Sequence, residues 1–157
     1  MLSPHACLYL PGLLAAAWLS GCSGLQTQAR EAPATLYESV VFNAESGQPA
    51  TIPAMAKQLT GADVIVVGEY HGHQAAHLLQ SNLQAALHHQ HPKQVLALEP
   101  FDLDHQTVID AYLAEELGEE ELIEDAGAWN NYKASYRPLM EFARRQQLPV
   151  IAANAPA

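Results

Sequence analysis

The sequence predicts an α/β fold: a parallel sheet flanked by helices, with a short N-terminal β-hairpin. Short apolar runs recur at "VIVV" (64–67), "QVLALEP" (94–100) and "PVIAANAP" (149–156), and stretches with helical periodicity separate them. Strand, helix, strand, helix, strand is the alternation of parallel α/β proteins, whose crossovers are right-handed. Ahead of these runs, two strand-like pieces flank a turn-rich "NAESG".

Each element has a local cause. "LYESVVF" (36–42) and "QPATIP" (48–53) flank "NAESG" (43–47), which reads as a hairpin. Pro53 opens a small helix that Gly61 closes. Val64 to Val67 are four β-branched residues bounded by Gly68, the pattern of a buried strand and a tight turn. From about His73 to His89 a helix sets Ala76, Leu79, Leu83, Ala86 and Leu87 in one stripe, expected to face the sheet. Gln94 to Pro100 is the second buried strand. Asp104 can then cap a helix with Val108, Ile109, Tyr112 and Leu113 on its inner face. The acidic run "EELGEEELIED" (115–125) reads as a solvated helix end and loop. A loop with Trp129 leads to a helix around Pro138 to Gln147, and the third strand follows.

The first residues read as an address. Ala6 to Leu19 is apolar, uncharged and too short for a comfortable membrane span, and it ends in "LSGC", the pattern of a bacterial lipobox. The expected organisation is a signal peptide over 1–21, a lipidated Cys22, a polar tether over 22–34 and a folded domain over 35–157. Ser23 beside Cys22 is not the aspartate of inner-membrane retention, so the expected location is the cell envelope, anchored to the outer membrane and facing the periplasm. With Cys7 removed alongside the signal, disulfides, thiolate metal sites and cysteine nucleophiles are excluded. A net charge of -10 excludes nucleic acid as a partner.

Strand ends point to a site. In a parallel sheet the C-terminal ends share one edge, so Gly68, Glu69 and His71 after the first strand would meet Glu99 and Asn154 from the second and third. Gly68, Glu69, Glu99 and Asn154 are thus the expected crevice, with Glu69 and Glu99 close together on adjacent strands. His73 and His77 have the i, i+4 spacing of a helical metal pair, but "HQAAH" lacks the glutamate of HExxH, and no metal centre is expected. His88, His89 and His91 sit at a helix C-terminus, where the dipole favours a cationic surface.

Four segments, "VIVVGEYHGHQAAHLLQSNL", "VLALEPFD", "WNNYKASYRPLMEFARRQQLPVIAANAP" and the "LSGC" lipobox, together resemble the ChaN family of haem-binding lipoproteins. That family lies in the wider group that includes the Tiki proteins and erythromycin-esterase-like domains. "GEYH" (68–71) is similar to its glycine–glutamate–histidine signature, and "ALEPF" and "AANAP" to its second and third strand ends. The resemblance implies haem binding outside the cytoplasm, with haems held between two subunits of a homodimer and iron ligated by tyrosine with help from histidine. Family members continue past the "NAP" strand, so the resemblance also implies an incomplete domain, the N-terminal portion of the family's.

A haem site needs an oxygen or nitrogen ligand, an apolar wall and a cation for the propionates. His71, Tyr132 and Tyr136 are the candidate ligands and Arg137 the candidate cation, with Trp129, Lys133 and Tyr70 beside them. The leading expectation is a lipid-anchored haem-binding protein of haem and iron uptake. Two alternatives stand: a hydrolase of esterase or metallopeptidase type with Glu69, His71 and Glu99 as catalytic residues, or an inactive scaffold.

Overall fold

The structure, a computed structural model, describes residues 32–156. The apolar leader, Cys22 and most of the tether lie outside the described residues.

The hairpin forms where expected. β1 (Val41–Phe42) pairs antiparallel with β2 (Pro49–Ala50). Asn43 builds the turn: its side-chain oxygen accepts from the amides of Glu45 at 3.0 Å and Ser46 at 2.8 Å. Gly47 closes it at φ 65°, a left-handed conformation that glycine adopts without a Cβ clash. The chain then enters α1 (Ile52–Gln58), capped by the Thr51 hydroxyl accepting from Ala54 N at 3.3 Å and started by a proline in its first turn.

α2 (Gln74–Gln90) is the long helix, and its N-cap is His73, whose Nδ1 accepts from Ala76 N at 3.3 Å. It packs on α1, α5 and α6 rather than chiefly on the sheet. Its buried residues are Ala75, His77, Leu83 and Gln84, while Leu79 and Leu87 of the expected stripe are only partly covered. Gln84 donates to the carbonyl of Leu139 at 3.3 Å, which ties α2 to α6.

β3 (Leu96–Asp102) and β4 (Val150–Asn154) pair in parallel, as the alternation requires. Leu96, Ala97 and Leu98 oppose Val150, Ile151 and Ala152, then the register slips until Asp102 meets Asn154. Pro100 lies within the slip and has no N–H to give a ladder, which accounts for the bulge. Glu99 therefore sits exposed inside β3, three residues short of its end, and does not close the strand as expected.

α3 (Gln106–Leu113), α4 (Glu119–Asp125), α5 (Tyr132–Ser135) and α6 (Arg137–Arg145) carry the chain from β3 to β4. Phe101, Ile109, Leu122, Tyr132, Met140 and Val150 make the fully buried centre of the core. Asp104 lies in a 3-10 turn ahead of α3 and caps nothing; the N-cap position is His105. The acidic run forms a helix with work to do: Glu119 binds Arg137 at 2.6 Å, Glu120 binds Lys133 at 2.6 Å, and Glu121 accepts from Gly118 N at 3.1 Å. Such surface pairs each contribute about 0–1 kcal/mol, enough to orient α4 against α5 and α6 but not to hold the fold.

One expected strand is missing. Val64 to Val67 join no ladder, and Val64 and Val66 are 78% and 88% exposed. β-branched residues favour strands because they pack on a pleated, half-covered surface, and among the described residues no strand pairs with this run. The described parallel sheet has two strands where three were expected.

Tyr132 generates a test of the core. The residue is 1% exposed, its ring meets Phe101 at 5.7 Å, and its hydroxyl has no hydrogen-bond partner. A buried, unbonded hydroxyl costs about 1–3 kcal/mol. Tyr132→Phe should therefore leave the urea midpoint unchanged or raise it, whereas Tyr132→Ala should lower stability by about 3–5 kcal/mol through the cavity it opens.

Candidate functional site

Glu69, on the irregular segment between α1 and α2, turns its carboxylate inward. Its side chain is 8% exposed and four side chains converge on it. Oε1 accepts from the Tyr136 hydroxyl and from His71 Nδ1 at 3.1 Å. Oε2 accepts from Gln80 Nε2 at 2.5 Å and faces His77 Nδ1 at 3.1 Å. Burial alone would raise the Glu69 pKa, but the hydrogen bonds from Tyr136, His71 and Gln80 and the charge of His77 outweigh it and hold the carboxyl below its usual 4.5.

The elements explain the convergence. His77 and Gln80 stand one turn apart on α2, so both reach the same point. Tyr136 lies at the junction of α5 and α6 and is 3% exposed. His77 Nε2 meets the backbone carbonyl of His71 at 2.9 Å, and Asn131 Nδ2 donates to that same oxygen at 2.7 Å. The rings form a chain of edge contacts: His71 on Trp129 at 4.7 Å, Trp129 on Tyr136 at 5.9 Å, and Tyr136 on His77 at 4.9 Å.

His71 is the group that faces outward, with 55% of its side chain exposed. An ionised carboxylate only accepts, so the Nδ1 that meets Glu69 donates and the neutral ring carries its lone pair on Nε2. Carboxylate-bound imidazoles of this kind are suited to ligate metals, because the acceptor fixes the tautomer and raises basicity.

The other residues read from the sequence lie as follows. Tyr136 is in the cluster, but burial, then the bond and the charge of Glu69, push its phenol well up, so the neutral hydroxyl is the stable form. Tyr132 is in the core with its hydroxyl enclosed, and burial pushes it up as well. Arg137 turns to Glu119, lining a cleft with Tyr112, Glu141 and Arg144 rather than the Glu69 cluster. Gly68 is exposed with open space where a Cβ would stand. Asn154 donates to Asp102 Oδ1 at 2.7 Å, the residue that takes the strand-end place expected of Glu99. Glu99 reaches the cluster only through its charge, which contributes to raising the Tyr136 phenol.

The sequence reading did not bring His77, Gln80 or Asn131 to Glu69, and weighed His77 only as a metal pair with His73. A signal for the first two was available: α2 contains no Asp, Glu, Lys or Arg, so no charged face marks its solvent side. His77, Gln80 and Gln84 form an uncharged polar stripe at i, i+3 and i+7, the pattern of a second packed face. Asp102, Asp104 and His105 also offer ligand atoms within 4.8 Å of one another at the end of β3, a grouping that the sequence reading did not single out.

The buried carboxylate makes stability acid-sensitive. Because the folded Glu69 is more acidic than the free residue, its stabilisation is present above about 4.5 and is lost as the pH falls through the lower folded value. Glu69→Gln should cost about 3 kcal/mol at pH 7 by leaving its partners unmatched. Chemical denaturation at a series of pH values should show the gap to wild type closing below pH 4.5.

The haem group fits this face in part: an exposed imidazole with a free Nε2 and an indole against it supply a ligand and one wall. Comparison with curated proteins and with solved structures found no match. The family described as haem-binding uptake, Tiki superfamily, ChaN matches residues 55–157, a span that holds the whole Glu69 cluster. The chain belongs to that family.

Proposed function

We propose that this chain binds haem at the face where Glu69 holds His71, and that it serves haem or iron uptake from a lipid anchor on Cys22. The observation that carries the reading is the Glu69–His71 pair at 3.1 Å, which leaves Nε2 facing outward beside Trp129. Haem would supply an iron with an open coordination position. The chain's own part is to present a fixed nitrogen donor and to pack Trp129 against one side.

Two features bear on the ligand's identity. Tyrosinate ligation asks for an accessible phenol that loses its proton readily, and Tyr132 and Tyr136 are both buried with their phenols pushed up. His71, by contrast, is accessible. The face is open, since more than half of the imidazole is exposed and the aromatic wall stands on one side. A second copy of the chain would provide the facing wall, which favours a homodimer in the bound state. "LSGC" at 19–22 supports lipidation, and Ser23 supports an outer-membrane location facing the periplasm.

The hydrolase reading with Glu69 as general base is weaker, because both carboxylate oxygens are already committed to donors. Glu99 is exposed within β3 with no hydrogen bond to His71.

Hemin titration followed by the Soret band tests the reading. Wild type should bind, and His71→Ala should weaken binding by about 10-fold or more, the scale seen when even a supporting residue of a metal site is lost. His88→Ala, on the far end of α2, should match wild type. Equal uptake by wild type and His71→Ala would overturn the assignment. For the anchor, labelled fatty acid should enter the wild-type chain and not Cys22→Ala; equal labelling would sink it.

A further inference from the structure

We propose that His77 is the positioning residue for His71, fixing its backbone directly and its ring tautomer through Glu69. The geometry stands by itself, while its consequence for ligand binding rests on the haem reading above.

His77 is 3% exposed on the first turns of α2, and each of its ring nitrogens meets only acceptors. Nε2 faces the carbonyl oxygen of His71 at 2.9 Å, so that nitrogen donates. Nδ1 faces Glu69 Oε2 at 3.1 Å and Gln80 Oε1 at 3.2 Å. Gln80 cannot turn its amide nitrogen toward the ring, because that nitrogen already donates to Glu69 at 2.5 Å. Both nitrogens of His77 therefore donate, Nε2 to the carbonyl of His71 and Nδ1 to Gln80, which in turn binds Glu69.

The two grips act on different parts of His71. Donation to its carbonyl, shared with Asn131 at 2.7 Å, holds the backbone of an otherwise irregular segment. Donation to Gln80 Oε1 at 3.2 Å sets that amide so that its nitrogen donates to Glu69 Oε2 at 2.5 Å, and this holds the carboxylate with Oε1 turned to His71 Nδ1. With Nδ1 committed as donor, the lone pair remains on the outward Nε2. Tyr136 keeps the His77 ring from rotating through an edge contact at 4.9 Å and 69°. Without His77, the Gln80 amide loses the donor that sets its orientation, the carboxylate it holds can turn, and the exposed imidazole is free to take either tautomer.

His77→Phe is the discriminating variant, because it keeps a ring against Tyr136 and removes both donors. In ligand-free, 15N-labelled protein, two-bond 1H–15N spectra should show His71 as the Nδ1–H tautomer in wild type and as a mixture with Nε2–H in the variant. Hemin affinity should fall about 10-fold with an altered Soret band. His77→Gln, which retains an amide donor, should fall between the two on both readouts and serves if the phenylalanine variant does not fold. An unchanged His71 tautomer in both variants would overturn the proposal. A shifted tautomer, with hemin bound equally by wild type and His71→Ala, would uphold the positioning role and reject the haem reading.

Discussion

A single buried carboxylate organises this protein's candidate site. Ionised carboxylates are costly to remove from water unless their acceptor sites are filled, and Glu69 has three donors and the nearby His77 ring around two oxygens. Those donors come from three separate places: the segment that carries Glu69 itself, the start of α2, and the junction of α5 and α6. Satisfying the charge therefore requires the two helical regions to dock correctly. The same requirement makes Glu69 a tertiary constraint.

The rest of the architecture supports that docking. α2 has to be buried on a polar stripe, because His77 and Gln80 serve Glu69 and Gln84 serves the Leu139 carbonyl. α5 and α6 are held from the other side by the core around Phe101 and Met140, and at the surface by the glutamates of α4. The β3–β4 pair supplies the apolar floor for α3 to α6, with Val150 and Ala152 facing inward and Ile151 and Ala153 outward. The parallel sheet thus acts on the site indirectly, by fixing the helices that bring Tyr136 and Asn131 to it.

Local chemistry was legible in the sequence, and tertiary chemistry was not. The hairpin, α1, the extent of α2 and the parallel pairing of β3 with β4 follow from turn residues, caps and periodicity. Val64 to Val67 carry strand composition but no ladder, since pairing depends on a neighbouring strand that composition cannot supply. Glu99 was misplaced because Pro100 breaks the register and β3 continues to Asp102. Glu69 and His71 were singled out by their place after an apolar run, and the side chains beside them are His77, Gln80 and Tyr136 from helices rather than the expected strand-end residues. The uncharged polar stripe of α2 was the clue to two of these, and nothing local marks Asn131 as a neighbour of His71, 60 residues away.

His71, aimed by a buried carboxylate, is proposed as the nitrogen this chain offers to iron. The most direct measurement is an anomalous difference map at the iron edge from crystals grown with hemin. An iron peak is expected in coordinating contact with His71 Nε2, with Glu69 still bound to Nδ1 and Trp129 against one side of the ligand. An iron peak on a tyrosine oxygen, with the His71 ring left in solvent, would contradict it.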